Sequence, residues 1–314
     1  MSRRVLVTGG AGVIARELLE LLAARGATVL SVDRLPLPAR APAGIEHLRG
    51  DLAEIDLAPI VAFDPEVVFH LAATFERSVE SPEFWDQSWA DNVVVTHRLI
   101  EASAAMPALR AFVFASSYLV YRTSQYLFGS PPHDAVALAE DAPLQPRNLC
   151  GAAKLYGEAE LAFARDVQRR PFRAVSARIF RVYGRGSRDV VSRWVRAALA
   201  GEPLELYHSR NRFDYVYSRD VAEGLIRLAD AEDAAGPINL GSGRAREVLA
   251  VLDAIRRAVG APVEVREVEV EEPYEASQAD GRRLRDATGW QPRTTLEDGV
   301  ARLVAHEREA LGVG

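Results

Sequence analysis

Cysteine and lysine are the two residue types that this chain of 314 residues almost lacks. It has one of each, Cys150 and Lys154, and the other 37 of its 38 basic residues are arginine. A single cysteine excludes an internal disulfide and is typical of a reducing compartment, so we expect a cytoplasmic protein. Because the pKa of a lysine can be shifted whereas arginine stays charged, the lone lysine is a candidate functional residue.

Long hydrophobic runs are also absent from the sequence. The apolar run that follows Arg3 and Arg4 is broken after three residues by Thr8-Gly9-Gly10, so we expect no secretory signal peptide. No stretch approaches the roughly 20 apolar residues of a membrane span. The net charge of −6 argues against nucleic acid or an anionic membrane surface as a partner. We expect neither of these partners, and we expect no metal site.

The spacing of Cys150 and Lys154 places them on one face of a predicted helix. They are four residues apart in a stretch rich in Ala, Leu and Glu, which favour helix. A thiol and a titratable amine would therefore project side by side. Taken alone, the pair is equally compatible with a surface lysine beside a small buried cysteine.

A cluster of glycines lies between a predicted strand, residues 4–7, and a predicted helix that runs to about residue 25. Gly9 and Gly12 let the backbone turn tightly and approach a pyrophosphate, which the helix N-terminus then faces. The second predicted strand ends at Asp33, about twenty residues later. A carboxylate there accepts hydrogen bonds from a ribose diol and repels a 2′-phosphate, which favours NAD. The neighbouring Arg34 leaves room for NADP.

Strands and helices alternate along the first half of the chain. Further strands are predicted at residues 45–49, 66–70, 111–115 and 171–180, with helices between them that include residues 92–105. The alternation predicts an α/β fold with a Rossmann-type, doubly wound parallel sheet over residues 1–180. A smaller C-terminal α+β substrate lobe is expected over residues 181–314, although segments cross between the lobes. Its predicted helices span residues 221–229, capped by Asp220, and residues 246–259 and 296–310.

An ordered set of short motifs runs through nearly the whole chain. It comprises Thr8-Gly9-Gly10-Ala11-Gly12, Asp33, Gly50-Asp51-Leu52, His70-Leu71-Ala72-Ala73, Asn92, Ser116-Ser117-Tyr118-Leu119-Val120-Tyr121, Arg178-Ile179-Phe180-Arg181-Val182-Tyr183-Gly184, Asp214-Tyr215-Val216-Tyr217, Asn239-Leu240-Gly241-Ser242-Gly243 and Gly289-Trp290-Gln291-Pro292. In this order the motifs resemble the extended short-chain dehydrogenases/reductases, and among them the NAD-dependent sugar-nucleotide epimerases and dehydratases. No single motif is specific, but the ordered set is.

The resemblance implies NAD as the cofactor and an active site built from Ser or Thr, Tyr and Lys. Ser117 falls on the hydroxyl position that holds the reacting oxygen of the substrate. Lys154 falls on the family lysine, which binds the nicotinamide ribose and lowers the pKa of the catalytic acid/base. The implied cofactor-binding residues are Gly9, Gly12, Val13, Ile14, Asp33, Arg34, Asp51, Leu52, Leu71, Ala72, Ala73, Asn92, Ser116, Lys154 and Phe180.

Cys150 stands where the family has its catalytic tyrosine, four residues before the lysine. A thiol has a reference pKa of about 8.5 against about 10 for a phenol, but it is shorter by most of an aromatic ring. Three interpretations are open: Cys150 is the acid/base, with a thiolate favoured by Lys154 and by the positive charge of the nicotinamide; another group has taken this role; or proton transfer is lost. The candidates for another group are Tyr118, Tyr126, Tyr156, His133 and a water molecule.

Four residues are expected to bind the substrate, namely Ser117, Tyr118, Arg181 and Arg212. Arg181 replaces an asparagine usual in the family and could clamp a carboxylate or phosphate. Phe213 occupies the position of a diphosphate-binding arginine, and Arg212, one residue earlier, would point to the other face of its strand. Glutamates between residues 264 and 275 would repel a diphosphate, so we expect them to face solvent.

Redox chemistry of the epimerase type, at a carbinol of a sugar or nucleotide sugar, is the expected function. The dehydratase branch carries an Asp-Glu pair after the hydroxyl position, and Tyr118-Leu119 stands there instead, so 4,6-dehydration is disfavoured. The alternatives are a net NAD(P)-dependent oxidoreductase of a non-nucleotide polyol or natural-product intermediate, and a non-catalytic NAD-binding protein. Because family members often dimerise through two helices, a homodimer is expected, with residues 92–105 and 153–165 at its interface.

Overall fold

The computed structural model describes residues 2–38, 41–75 and 80–311. Its strands are β1 (Arg4–Thr8), β2 (Thr28–Asp33), β3 (Glu46–Arg49), β4 (Val67–His70), β5 (Ala111–Ser117), β6 (Leu127–Phe128), β7 (Val136–Leu138), β8 (Arg173–Ile179), β9 (Arg181–Tyr183), β10 (Leu204–Tyr207), β11 (Arg212–Phe213), β12 (Tyr215–Tyr217), β13 (Gly236–Leu240), β14 (Arg246–Glu247), β15 (Val265–Val268) and β16 (Tyr274–Ala279). Its α-helices are α1 (Val13–Ala24), α2 (Ala58–Phe63), α3 (Pro82–Ser88), α4 (Val95–Ala102), α5 (Leu149–Asp166), α6 (Val190–Ala200), α7 (Ser218–Asp230), α8 (Val248–Val259), α9 (Arg282–Thr288) and α10 (Leu296–Leu311).

A seven-stranded parallel sheet forms the centre of the fold, with the order β13-β8-β5-β4-β1-β2-β3. Both of its faces are buried, which explains the nearly continuous apolar sequence of its strands. Val5 and Val7 on β1 pack with α1 and α7 on one face, whereas Leu6 packs with α4 and α5 on the other. The predicted α/β class and doubly wound sheet are therefore confirmed.

The second lobe packs around three helices, α6, α8 and α10, which share one apolar core. Its largest sheet has the order β14-β11-β16-β6, with β7 paired to β16, and two strand pairs, β9-β12 and β10-β15, complete it. The chain crosses between the lobes, because β6 and β7 join this sheet whereas β13 returns to the central one. The division at residue 180 stays a prediction.

Three predictions about individual elements were wrong. The helix predicted from residue 92 begins earlier, because α3 continues through a π-helical segment (Trp89–Val94) into α4. Residues 246–247 form the strand β14, and α8 begins only at Val248. Asp220 is not an N-cap but lies in the first turn of α7, where its Oδ2 accepts the backbone N–H of Thr294 at 2.7 Å. It therefore ties α7 to the segment before α10.

Among the described residues, no helix is long and apolar enough to cross a lipid bilayer. The longest described helix, α5, has 18 residues and includes polar and charged side chains along its length. It packs against the central sheet and the neighbouring helices instead.

Candidate active site

The glycine turn after β1 approaches the loop after β4 so closely that no side chain fits between them. Gly9 has a φ of 73°, and a Cβ added to it would lie 2.8 Å from the backbone nitrogen of Ala72. Glycine is therefore required at this position for both conformation and space. The turn leaves an open surface at the N-terminus of α1, as the binding of a pyrophosphate requires.

Asp33 lies at the carboxyl end of β2 and is held in place by its own loop. Its Oδ2 accepts the N–H of Ala11 at 3.0 Å and its Oδ1 accepts the N–H of Leu35 at 2.8 Å. Arg34 points to two other carboxylates, pairing with Asp91 and, at 3.0 Å, with Asp51. Because its charge is neutralised in this way, Arg34 offers little to a 2′-phosphate, and the surroundings of Asp33 favour NAD over NADP.

Two connected cavities follow the carboxyl edge of the sheet. The first, of about 380 Å³, is lined by nine of the residues that we expected to bind the cofactor: Gly9, Gly12, Asp33, Arg34, Asp51, Leu52, Leu71, Ala72 and Ala73. The second, of about 940 Å³, shares part of that wall and is also lined by Val13, Ile14, Ser116, Ser117, Tyr118, Cys150, Lys154, Phe180 and Arg181. The two cavities share Gly9, Gly12, Leu71 and Ala73, and Ser117 and Lys154 line only the larger one.

Asn92 and Arg212 were predicted to bind ligands, but neither residue lines either of these two cavities. Asn92 is buried in the π-helical segment, where its Oδ1 accepts the N–H of Thr74 at 2.8 Å and its Nδ2 donates to the Thr74 carbonyl. It therefore fixes the loop after β4, which does line the cavity. Arg212 pairs at 2.5 Å with Glu247 on the neighbouring strand, because its neighbour Phe213 takes the opposite face of β11.

The helix α5 brings Cys150 and Lys154 to the cavity beside Ser117. Asn148 caps the helix, since its Oδ1 accepts the N–H of Gly151 at 2.9 Å. Gly151 then packs so tightly that an added Cβ would lie 2.5 Å from the carbonyl oxygen of Leu119. Ser117 accepts the N–H of Leu119 at 3.2 Å, which leaves its own hydroxyl proton free to be donated into the cavity.

Burial is the largest influence on the pKa values of Cys150 and Lys154. Cys150 and Lys154 are only 6% and 7% exposed, and the Lys154 Nζ lies 4.7 Å from the ring centroid of Phe114. Burial lowers the pKa of Lys154. Burial also raises the pKa of the Cys150 thiol; Lys154 opposes this rise only in part, and the carboxylate of Glu80 adds to it. In the protein alone, desolvation outweighs the effect of the amine on the pKa of the thiol. The expected thiolate relies also on the positive charge of the nicotinamide, so the acid/base role of Cys150 stays a prediction.

Of the other acid/base candidates, only Tyr118 lines the cavity. Its hydroxyl donates to Glu275 at 3.2 Å, and burial raises its pKa, so it is a poor proton acceptor. Tyr126 is buried outside the cavity lining, and Tyr156 and His133 lie away from it. These three residues are therefore unsuitable for the role proposed for them.

Glu275 corrects the expectation that the acidic run of the second lobe faces solvent. The five glutamates between residues 264 and 272 lie at the surface, but Glu275 is 2% exposed. Its Oε2 accepts hydrogen bonds from Arg181, at 3.0 Å, and from Arg147. Arg181 therefore reaches the cavity wall as predicted, but part of its charge is already matched by a carboxylate of the protein.

Sequence reasoning missed five residues of this site. The cavity is also lined by Glu80, Arg147, Arg193 and Tyr215, and Glu275 lies directly behind it. Glu80 accepts the N–H of Leu149 at 2.8 Å at the start of α5, close to Cys150. Tyr215 belongs to a recognised motif and was the one residue with a usable signal. Glu80 and Arg147 lie in loops, Arg193 on α6 and Glu275 on β16, where no spacing marks them. Among the described residues, no group of three or more His, Cys, Asp or Glu side chains could hold a metal ion.

The fold and the paired cavities define a dinucleotide-binding protein whose reactive side chains lie at the carboxyl edge of its sheet. The model of the NAD-dependent epimerase/dehydratase family matches residues 5–241, and the chain belongs to this family. The resemblance noted in the sequence and the prediction of NAD as the cofactor are both confirmed by this match.

Similar proteins act on sugar nucleotides. A UDP-glucose 4-epimerase of Mycolicibacterium smegmatis is 32% identical over 321 residues, covering 96% of this chain and 97% of that protein. A dTDP-6-deoxy-L-talose 4-dehydrogenase (NAD(P)(+)) of Kitasatospora kifunensis is 30% identical, covering 96% and 94%. These relatives support an enzyme of sugar-nucleotide chemistry.

Solved structures agree along almost the whole chain. The structure of MoeE5 in complex with UDP-glucose and NAD has a TM-score of 0.84 at 30% identity, covering 98% of this chain and 99% of that one. The UDP-glucose 4-epimerase of Thermus thermophilus in complex with NAD has a TM-score of 0.80, also at 30% identity and with the same coverage. The coverage shows that both lobes of the fold are shared with these proteins.

Proposed function

We propose that the protein is an NAD-dependent epimerase that inverts a ring carbinol of a UDP-sugar. The observation that carries this proposal is that Ser117, Cys150 and Lys154 all line the larger cavity, which shares part of its wall with the cofactor cavity. Groups for holding an oxygen and moving its proton thus lie beside the expected end of the dinucleotide. The similarity to UDP-glucose 4-epimerases, one of them 32% identical, supports the substrate class.

In this proposal each side chain has one role. Bound NAD supplies the acceptor and donor for hydride, together with a positive charge that favours a thiolate. The hydroxyl of Ser117 donates a hydrogen bond to the reacting oxygen of the substrate and keeps its proton. The ammonium of Lys154 stabilises the thiolate of Cys150, which accepts the proton of the carbinol at its sulfur, holds it as a neutral thiol and later returns it.

The length of the cysteine side chain sets the geometry of this proton transfer. The thiol is shorter than the family's tyrosine by most of a ring, so a water molecule bridges the sulfur and the carbinol. The tight contact of Gly151 with Leu119 leaves α5 no room to move inward and close this distance. Cys150 thus takes the tyrosine's role with one additional hydrogen bond in the path.

Epimerisation is favoured over dehydration by the residues that follow Ser117. A dehydratase needs a carboxylate pair there to eliminate water, and this chain has Tyr118 and Leu119. The hydroxyl of Tyr118 is already donated to Glu275. Neither side chain can abstract a carbon-bound proton, which elimination requires.

A second candidate is net oxidation of the substrate by NAD. It is favoured by the dTDP-6-deoxy-L-talose 4-dehydrogenase, 30% identical to this chain, and by Phe213 in the position of a diphosphate-binding arginine. Incubation of the NAD-loaded protein with UDP-glucose and UDP-galactose separates the two. An epimerase interconverts the sugars without net formation of NADH, whereas an oxidoreductase accumulates reduced cofactor. A protein that does neither, although it binds NAD, would contradict the proposal.

We also propose a homodimer, built on an apolar surface of α3, the start of the π-helical segment that follows it, and α5. Trp85 and Trp89 are one turn apart and more than half exposed, and Tyr156, Phe163 and Val167 form an exposed stripe along the adjacent α5. Large apolar side chains so concentrated indicate a surface that another protein covers. A second copy of the chain, packing the same helices against these, would bury both stripes.

The buried free thiol of Cys150 fits the reducing cytoplasm that we propose as the location of the protein.

A further inference from the structure

Three donors on the wall of the larger cavity have no role in the chemistry described so far. They are Arg147 from the loop before α5, Arg181 at the start of β9 and Tyr215 at the start of β12. Arg181 and Tyr215 are register partners of the parallel pair β9-β12, so that their side chains are neighbours on one face. The donors therefore converge from different parts of the chain on one region of the cavity.

The two arginines share a single buried carboxylate. Arg147 and Arg181 both donate to Oε2 of Glu275, and Tyr118 donates to Oε1. Burial alone would raise the pKa of Glu275, but Arg181 and Arg147 outweigh it and hold the pKa below its usual value. The carboxylate is therefore ionised, and the three groups together carry one excess positive charge.

A second carboxylate on this part of the cavity wall, that of Asp189, accepts hydrogen bonds from its own helix. Asp189 caps α6, with Oδ1 accepting the N–H groups of Val191 and Ser192 and Oδ2 accepting the Ser192 hydroxyl. The oxygens of Asp189 are thus directed to the N-terminus of α6, and the excess positive charge next to Glu275 is available to an anionic ligand.

Two buried donor groups at the same place have no partner among the described residues. These are the Nε of Arg181 and the hydroxyl of Tyr215, whose residue is only 7% exposed. An unpaired buried donor costs free energy that a bound acceptor recovers. The guanidinium of Arg181 is also held in orientation, because it lies 3.7 Å from the ring centroid of Phe213.

The stacking of Arg181 on Phe213 places a cation beside the position where the resemblance implies a diphosphate-binding arginine. Phe213 stands where the resemblance implies a diphosphate-binding arginine, and Arg212 pairs with Glu247 outside the cavity. Arg181 places a guanidinium directly over the phenylalanine ring, next to the position that has lost its charge. Arg181, on β9, thus supplies a cation at the cavity wall next to Phe213 on β11.

We propose that Arg181, Tyr215 and Arg147, organised by Glu275, form the binding site for an anionic group of the substrate. Because it rests on the proposed function, the anion is either the diphosphate of the nucleotide sugar or a carboxylate on its sugar ring. Both present the oxygens that a guanidinium and a phenol recognise. This assigns substrate binding to Tyr215 and Arg147 and an organising role to Glu275.

The test measures binding to the NAD-loaded protein by calorimetry, with UDP, UDP-glucose, UDP-glucuronic acid and uridine as ligands. Arg181→Gln is expected to weaken binding of the anionic ligands by about tenfold or more, and Tyr215→Phe by about threefold to tenfold. Uridine, which carries no anion, should bind the variants and the wild type alike. Matched controls are Arg246→Gln, whose arginine pairs with Glu297 outside the cavity, and Tyr217→Phe, two residues along β12.

The pattern of losses identifies the anion. Equal losses for UDP, UDP-glucose and UDP-glucuronic acid place the diphosphate at this site, whereas a loss for UDP-glucuronic acid alone places a ring carboxylate there. If both variants bind the anionic ligands as tightly as the wild type, the proposed anion-binding site is wrong, but the proposed function is not contradicted. If the wild type binds none of the nucleotides, the proposed function fails, and the site with it. Tyr215→Phe removes one oxygen atom, so it keeps the test valid if Arg181→Gln does not fold.

Discussion

The α-carbon of Gly151 faces the carbonyl oxygen of Leu119 so closely that a methyl group on it would lie 2.5 Å from that oxygen. This contact holds the first turn of α5 against the segment that carries Ser117. We predict that Gly151→Ala displaces the helix, lowers the free energy of unfolding by about 1–3 kcal/mol and reduces kcat more than KM. Chemical denaturation and steady-state kinetics measure both effects. Gly129→Ala, at a loop glycine with open space around it, should change neither quantity.

Cys150 gives the clearest test of the proposed chemistry. Removal of the thiol in Cys150→Ala should reduce kcat by about 10²- to 10⁴-fold while NAD binding is retained. Because the thiolate is the base and burial raises the pKa of the thiol, activity of the wild type should rise with pH on the alkaline side of neutrality. A pH profile of kcat/KM measures this. An unchanged rate in Cys150→Ala, with a gain in Cys150→Tyr, would show that the thiol is not the acid/base.

Glu80 should set the pH at which this rise occurs. Its carboxylate adds to the raised pKa of Cys150, so its neutralisation in Glu80→Gln should lower that pKa. We therefore predict that the alkaline rise of kcat/KM moves to lower pH, with little change in its plateau. Asp134→Asn, at an exposed carboxylate outside the cavity, is the control and should leave the profile in place. An unchanged pH profile in Glu80→Gln would show that Glu80 does not affect the pKa of Cys150.

Asp33 should select the cofactor. Asp33→Asn keeps one of the two acceptors for backbone N–H groups and removes the negative charge, so NAD affinity should fall about tenfold. The preference for NAD over NADP should fall as well, because the repulsion of a 2′-phosphate is weakened. Fluorescence titration with both cofactors measures this. Asp56→Asn, at an aspartate that accepts the N–H of Ala58 before α2, should bind NAD like the wild type. Unchanged NAD affinity in Asp33→Asn would rule out this contact.

The apolar stripes of α3 and α5 should control oligomeric state. A charge introduced by Trp89→Glu or Phe163→Glu should convert a dimer into monomers, because an unpaired carboxylate would be buried at the interface. Analytical ultracentrifugation measures the mass of the wild type and of each variant. Leu249→Glu, at an exposed leucine on α8, should remain dimeric. A wild type that sediments as a monomer at every concentration would contradict the proposed homodimer.

Much of the fold and half of the site were predictable because the signals are local. The glycine turn, the apolar strands and Asp33 at the end of β2 follow from backbone sterics and from periodicity within a few residues. Lys154 and Ser117 were recognised from an ordered set of motifs. All of these site residues line the two connected cavities.

The remaining features depend on partners that are distant in sequence. Arg181 meets Glu275 across 94 residues, and no pattern in either segment marks the pair. The helix α7 begins at Ser218 and leaves Asp220 to bind the segment before α10 instead of capping. The sequence by itself determined the sheet and the cofactor, and it placed Cys150 and Lys154 on one face of a helix. Only the tertiary structure decided how deeply Cys150 is buried and which carboxylate Arg181 meets, because long-range packing and pairing set both.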